Sequence, residues 1–224
     1  MRAIVIANGE IGAGASPGLT LSPDDLVIAA NGGSRLAQRL GLEPQVVIGD
    51  LDSLPARLRA RLEKRGCRFV SHPSRKDETD TELAIRYAVA EGAREIVLLG
   101  ALGGRLDHML ANVLLLAMPE LVGLQARIAA GDTEVWLLRA GCAVHLEGQV
   151  GDTVTLLPLA ADALGITTQG LEYALHDGTL RLGLARGVSN VMTGTNAEVR
   201  LREGMLLVIR VRTYDQNRSG QREP

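Results

Sequence analysis

Val46-Val47-Ile48-Gly49-Asp50-Leu51-Asp52-Ser53 runs from a short apolar strand into an acidic turn. Residues 55–65, Pro-Ala-Arg-Leu-Arg-Ala-Arg-Leu-Glu-Lys-Arg, then read as a surface helix ended by Gly66, with Leu58 and Leu62 as its one apolar stripe. The same order of strand, loop and helix returns at Ile96-Val97-Leu98-Leu99, Gly100 to His108, and the helical pattern over 107–117 that carries Leu110, Val113, Leu114 and Ala117. Working outward, residues 3–7, 26–30 and 69–70 read as strands and 33–41 and 80–91 as helices, the latter with Leu83, Tyr87 and Ala90 on one face. Such alternation gives an α/β fold, a doubly wound and mostly parallel sheet with helices on both faces. The Gly/Pro/Ser-rich stretch 9–23 is a long loop, and Gly9, Gly12 and Gly14 have the wrong spacing for a dinucleotide fingerprint.

After residue 131 the pattern changes. Strand-like segments follow closely at 134–138, 142–147, 152–157, 163–168, 171–175, 179–184, 197–202 and 205–211, separated by Gly, Asp and Asn turns. A smaller all-β sandwich is expected over 132–213, after an α/β nucleotide- and metal-binding domain over 1–131. The polar tail 214–224 is expected to fray. The apolar run from Leu121 to Ile128 suits core or interface equally.

Composition removes several function classes. A net charge of −2 supplies no broad basic field, and 2% aromatic residues leave little to stack bases, so no nucleic-acid partner is expected. Cys67 and Cys142 stand alone, without CxxC spacing. No run approaches the ~18 apolar residues of a membrane helix, and residues 1–7 are too short for a signal peptide. The expectation is a cytoplasmic protein with no membrane partner.

Three acidic clusters then read as one site: Asp50 and Asp52 with Ser53; Lys76, Asp77, Thr79 and Asp80; and Gly103, Gly104, Arg105, Asp107 and His108. Each follows a strand, and loops leaving the carboxyl ends of strands in an open α/β sheet converge on a ligand crevice. Gathered carboxylates call for a cation, and oxygen donors suit Mg²⁺, which brings substrate phosphates with it. Arg105 offers a planar fork matched to phosphate, and the glycines before it permit close backbone approach. Taken singly, each cluster also reads as a helix cap. Thr79-Asp80-Thr81-Glu82 has the capping-box pattern, Ser53 and Asp107 stand near helix starts, and His108 reads equally as a phosphate contact or a surface residue. Capping does not explain Asp50 with Asp52, whose two-residue spacing in an extended segment would turn both side chains to one face.

Gly-Asp-Leu-Asp-Ser at 49–53, Lys-Asp-Glu-Thr-Asp at 76–80 and Gly-Ala-Leu-Gly-Gly-Arg-Leu-Asp-His at 100–108 together resemble the thiamine pyrophosphokinase (thiamine diphosphokinase) family. Asn31-Gly32-Gly33, Gly170-Leu171-Glu172-Tyr173 and Gly187-Val188-Ser189-Asn190 extend the resemblance to about residue 211. It implies a Mg²⁺-dependent homodimer that moves the pyrophosphoryl group of ATP to thiamine and releases AMP. Residue by residue, it implies metal-associated carboxylates at Asp50, Asp52 and Asp80, with Asp77, Arg105 and Asp107 in the catalytic set. Asn31, Gly32, Ser53, Lys76, Thr79, Gly104 and His108 would face the nucleotide, and Tyr173, Ser189 and Asn190 the thiamine. One departure stands out: Asn31 occupies a position where the family usually has Asp. The alternatives are a pyrophosphokinase for another hydroxymethyl substrate, such as a pterin, and a non-catalytic thiamine-binding sensor.

Overall fold

The structure is a computed structural model that describes residues 1–9, 19–52 and 54–213. Ser53, the tail from 214 and most of the expected 9–23 loop lie outside the described residues. The chain divides into two compact units, Met1–Glu134 and Val135–Pro224.

In the first unit, β1 (Arg2–Ile6) and β2 (Leu26–Ala30) are followed by α1 (Gly33–Arg39), β3 (Val46–Gly49), α2 (Ala56–Lys64), β4 (Arg68–Ser71), α3 (Asp80–Ala90), β5 (Glu95–Leu99), α4 (Leu106–Leu115), a 3₁₀ turn at Pro119–Leu121 and β6 (Gln125–Ala130). The strands pair in parallel in the order β6-β5-β1-β2-β3-β4. Their sequences are almost uninterrupted apolar runs because a parallel sheet covered by helices is buried on both faces. On one face Leu36 and Ala37 of α1 pack with Ile4, Ile6, Val97 and Leu99, while Leu58 and Leu62 of α2 pack with Ala29 and Val47. Ala84, Ile85 and Ala88 of α3 are buried as well.

Strand order decides where a ligand can sit. The chain moves outward from β1 to β4, then returns through α3 to place β5 on the other side of β1. The β1/β5 boundary is thus the topological switch point, where the two flanking loops diverge and leave a crevice.

The structure adds to the sequence reading at three places in this unit. The 121–128 run ends in strand β6, which begins at Gln125 and continues to Ala130; its Gln125 and Arg127 interrupt the apolar pattern, and Arg127 is held to Glu95 of β5 at 2.6 Å. The periodicity of α4 is as read, but no residue of this helix is fully buried, and Leu106, Leu110 and Leu114 are 66%, 56% and 54% exposed. At the sheet edge, β4 is only four residues long with exposed ends, and the Arg68 guanidinium pairs with Glu91 and lies 5.2 Å from the Tyr87 ring centroid.

In the second unit, β7 (Thr133–Arg139), which begins just ahead of the division, is followed by β8 (Ala143–Glu147), β9 (Thr153–Pro158), β10 (Ala163–Gln169), β11 (Gly178–Leu180), β12 (Asn190–Val191), β13 (Asn196–Arg200) and β14 (Met205–Val211). They form two sheets' worth of strands, ordered β12-β9-β14-β7 and β11-β10-β13-β8. Leu146, Ile166 and Val199 from one set meet Val154, Leu156, Leu206 and Val208 from the other in a single apolar core, as a sandwich requires. Two expectations are corrected here, the first being that the strand expected at 179–184 is the shorter β11, Gly178–Leu180. Residues 171–175 are no strand; Leu171 makes one isolated bridge to Met192, and the rest is a loop pinned by side chains. No helix among the described residues is long and apolar enough to cross a membrane.

Candidate active site

Each of the three loops leaves the carboxyl end of a strand or opens a helix at the switch-point edge. A cavity of 390 Å³ is lined there by Asn8, Gly9, Asn31, Gly32, Thr79, Asp80, Gly103, Gly104, Arg105, His108 and Asn112, among others. Of the residues expected from the sequence, Asn31, Gly32, Thr79, Asp80, Gly104, Arg105 and His108 therefore share one cavity. Lys76, Asp50 and Asp107 stand behind it, each bonded to a lining residue: Lys76 Nζ donates to Asp80 Oδ1 at 2.7 Å, Asn31 Nδ2 donates to Asp50 Oδ1 at 2.8 Å, and Arg105 meets Asp107 through Nε (3.1 Å) and Nη2 (2.6 Å). Asp52 and Asp77 are exposed and do not line the cavity, and Ser53 lies outside the described residues.

Backbone geometry explains how these groups are held. Gly49 has φ 148°, and a Cβ added there would stand 2.8 Å from Asn31 Cβ and 3.0 Å from Asp80 Cγ. The absent side chain is what lets the Asp80 carboxylate lie against the end of β3. Asn31 at φ 42° and Leu51 at φ 62° both occupy the left-handed region, which Asn tolerates and Leu does not adopt without strain. Asp50-Leu51-Asp52 is thus a tight turn and not the extended segment expected: the Asp52 N–H donates to Asp50 Oδ1 at 3.2 Å. Among the described residues, the hydrogen bonds to Asp50 from Asn31 and from the Asp52 N–H both fall on Oδ1.

The capping readings separate cleanly. Thr79 caps α3, its Oγ1 accepting from the Glu82 N–H at 3.1 Å, while it also lines the cavity. Asp107 does not cap α4, because the helix starts one residue earlier; it accepts from the His108 N–H at 3.0 Å and from Arg105. The Arg105 hydrogen bonds hold the Asp107 carboxyl well below its usual range, at about 2.

Sequence reasoning missed Asn8 and Asn112. Asn8 follows the strand that flanks the switch point, so the strand-end rule applied to β1 would have found it. Asn112 is fixed by donating to the Ala101 carbonyl at 2.9 Å, a loop contact with no local sequence signature.

The three expected thiamine-facing residues gather around a second cavity, within the β unit, of 490 Å³. It is lined by Tyr173, Ser189 and Asn190 together with Leu156, Leu175, Leu180, Arg186 and Val188. Tyr173 is 67% exposed, whereas Asn190 is buried and its amide is already engaged. Asn190 Oδ1 accepts from the N–H groups of Tyr173 (3.0 Å) and Val191 (2.9 Å), and Nδ2 donates to the Tyr173 carbonyl (2.8 Å). It positions the loop that carries Tyr173. Ser189 sits at φ 61°, its N–H bonded to Thr155 Oγ1.

Among the described residues no three His, Cys, Asp or Glu side chains are grouped closely enough to hold a metal unaided. Mg²⁺ is commonly held by one or two carboxylates together with substrate phosphates and water, and Asp80 on the cavity wall and Asp50 beside Asn31 are carboxylates of that kind.

Comparison with known proteins gives a consistent family. Residues 19–128 match the family model described as thiamin pyrophosphokinase, catalytic domain, and residues 142–206 match thiamin pyrophosphokinase, vitamin B1 binding domain. Thiamine pyrophosphokinase of Bacillus subtilis (strain 168) is 26% identical over 196 residues, which cover 87% of this chain and 92% of that protein. Thiamine pyrophosphokinase 1 of Oryza sativa subsp. japonica is 26% identical over 163 residues, covering 69% of this chain and 61% of that one. Among solved structures, thiamine pyrophosphokinase from Bacillus subtilis superposes with a TM-score of 0.83 at 24% identity, over 96% of this chain and 100% of the other. Thiamin pyrophosphokinase from Geobacillus thermodenitrificans gives 0.80 at 25% identity, over 96% and 99%.

Proposed function

The chain belongs to the thiamin pyrophosphokinase family, and from that premise we propose that it transfers the pyrophosphoryl group of ATP to thiamine, giving thiamine diphosphate and AMP. The observation that carries this reading is the convergence of Asn31, Thr79, Asp80, Arg105 and His108 from three loops onto one cavity at the switch point. In the reaction the hydroxyethyl oxygen of thiamine bonds to the β-phosphorus of ATP while the bond from that phosphorus to the α,β-bridging oxygen breaks. AMP leaves with the bridging oxygen and its electron pair, and the hydroxyl proton passes to a carboxylate or to solvent. Asp77, exposed in the loop before α3 and without an ion pair among the described residues, is a carboxylate open to that proton.

Mg²⁺ would draw one or two carboxylate ligands from among Asp50, Asp52 and Asp80, with substrate phosphates and water completing its shell. When bound, the ion offsets charge on the phosphate oxygens. Arg105 supplies a fork for the transferred group, and the Asp107 carboxylate preorients it. Lys76 restrains Asp80 from behind. Tyr173 presents an exposed ring able to attract a thiazolium cation, and Asn190 fixes its backbone. The homodimer belongs to this reading: the uncovered Leu106, Leu110 and Leu114 of α4 offer a second copy an apolar stripe to cover. So does a cytoplasmic setting, in keeping with free Cys67 and Cys142.

The test is a mass-resolved assay of the purified protein with ATP, Mg²⁺ and thiamine. Equimolar AMP and thiamine diphosphate, each requiring both metal and thiamine, are expected. Thermal stabilisation by thiamine without turnover would overturn the catalytic reading in favour of a sensor, with Asn31 as the point of departure.

A further inference from the structure

Among the described residues Asp80 is the one carboxylate that lines the switch-point cavity, and a cation of the chain's own already sits on it. Lys76, in the loop before α3, donates from Nζ to Asp80 Oδ1 at 2.7 Å. The two side chains are only 13% and 25% exposed, so the pair is screened far less than an ion pair on the open surface. Lys76 itself forms no part of the cavity wall. The neighbouring carboxylate, Asp50, accepts from the neutral amide of Asn31 and from the Asp52 N–H. The chain therefore compensates its own acidic groups at this cavity. A divalent cation arriving alone meets an ammonium on one of the two Asp80 oxygens and is repelled by it. A polyphosphate has the opposite effect, because an ammonium on a flexible four-carbon stem is itself a phosphate ligand.

We propose that Lys76 makes metal binding at this cavity conditional on the polyphosphate: its ammonium occupies Asp80 until phosphate oxygens draw it away, and Asp80 then presents its full charge to the cation. This rests on the reading that ATP and Mg²⁺ share the cavity, and adds the order in which they are admitted. The two ligands are coupled through Lys76, each raising the affinity for the other by the same factor. Other roles for Lys76 give different signs. A plain tie between loop and helix would, when cut, weaken both ligands or neither, and a plain phosphate contact would weaken the polyphosphate alone. Competition for Asp80 is what makes removal of a side chain improve metal binding.

Mn²⁺ in place of Mg²⁺ is titrated into the full chain without nucleotide, and the bound fraction is read from the loss of the free-ion paramagnetic resonance signal. Lys76→Gln is expected to bind it at least about tenfold more tightly than the wild type, and Lys76→Met, which keeps the apolar stem, should do the same. Lys76→Arg retains the charge and should show no such gain. Lys64→Gln removes the same charge from the exposed end of α2 and should stay within about twofold of the wild type. The gain should vanish in Lys76→Gln/Asp80→Asn, which assigns the ion to Asp80. In a calorimetric titration of ATP with excess EDTA, Lys76→Gln should bind at least about fivefold more weakly than the wild type. Circular dichroism verifies the fold of each variant. Unchanged or weaker Mn²⁺ binding in Lys76→Gln, no detectable Mn²⁺ binding by any of the proteins, a gain that survives in the double variant, or unchanged binding of metal-free ATP would overturn the exchange. None of these measurements involves thiamine or turnover. An inactive wild type with both shifts would fail the catalytic reading and keep the exchange; an active one with neither would do the reverse.

Discussion

In the proposed function Asp50 would offer its charge to the metal, and its environment makes a clean substitution possible. Asp50→Asn keeps an oxygen to accept from Asn31 and the Asp52 N–H, yet removes the charge that the carboxylate would offer a cation. The loss of several kcal/mol of charge stabilisation should cut kcat by at least about a hundredfold. The melting temperature, read by circular dichroism, should move little. Arg105 gives a second test, with a pH signature. Its hydrogen bonds lower the Asp107 carboxyl to about 2, so this pair favours the folded state above the ordinary carboxylate range and ceases to do so as pH falls towards 2. In Arg105→Ala the Asp107 titration, followed by carboxyl-carbon NMR, should move up to about 4, and kcat should fall more than KM rises. The carboxylates, Arg105 and the glycines were legible in the sequence because their chemistry is unusual at a strand end. The left-handed turn at Leu51 was not, since a bulky residue ordinarily argues against that conformation. Asn190 lines the second cavity, and its amide also bonds backbone groups of Tyr173 and Val191, a contact with no local sequence signature.

Among the elements, α3 joins stability to function at a single residue. Thr79→Ala removes the side-chain acceptor at its first turn, which should cost about 1 kcal/mol in a denaturant titration. Because Thr79 also lines the cavity, a fall in turnover beyond that caused by Thr79→Ser would separate its two roles. For α4, Leu110→Glu together with Leu114→Glu should convert a dimer to a monomer in light scattering, with the secondary structure retained because neither side chain is buried in the chain itself. Periodicity located α4 correctly and could not say what covers it, for an apolar stripe looks the same whether its partner lies within the chain or beyond it. The loop at 171–175 shows the opposite failure. Its composition resembles a strand, but Thr168 Oγ1 and Asn190 take up the backbone N–H groups of Leu175 and Tyr173 that a ladder would have used.

At the scale of the whole molecule, the doubly wound topology was readable because every crossover writes a strand, loop and helix into consecutive residues; the pairing partners of short β segments are set by distant contacts that no local window contains. The two cysteines provide a probe of the assembled fold. Burial pushes the Cys67 thiol up to about 11, whereas Cys142 is exposed. A disulfide reagent at pH 8 should therefore modify Cys142 quickly and Cys67 slowly, with the slow phase accelerating in denaturant as α2 leaves the sheet. Comparable rates for both would contradict the packing around Cys67. The guarded edge of the parallel sheet has a consequence for handling. An open strand is a template on which another chain can crystallise its own backbone into a fibril, and β4 denies that template through its brevity and the anchored cation of Arg68. Replacing that arginine with valine would exchange a solubilising gatekeeper for a sticky seam.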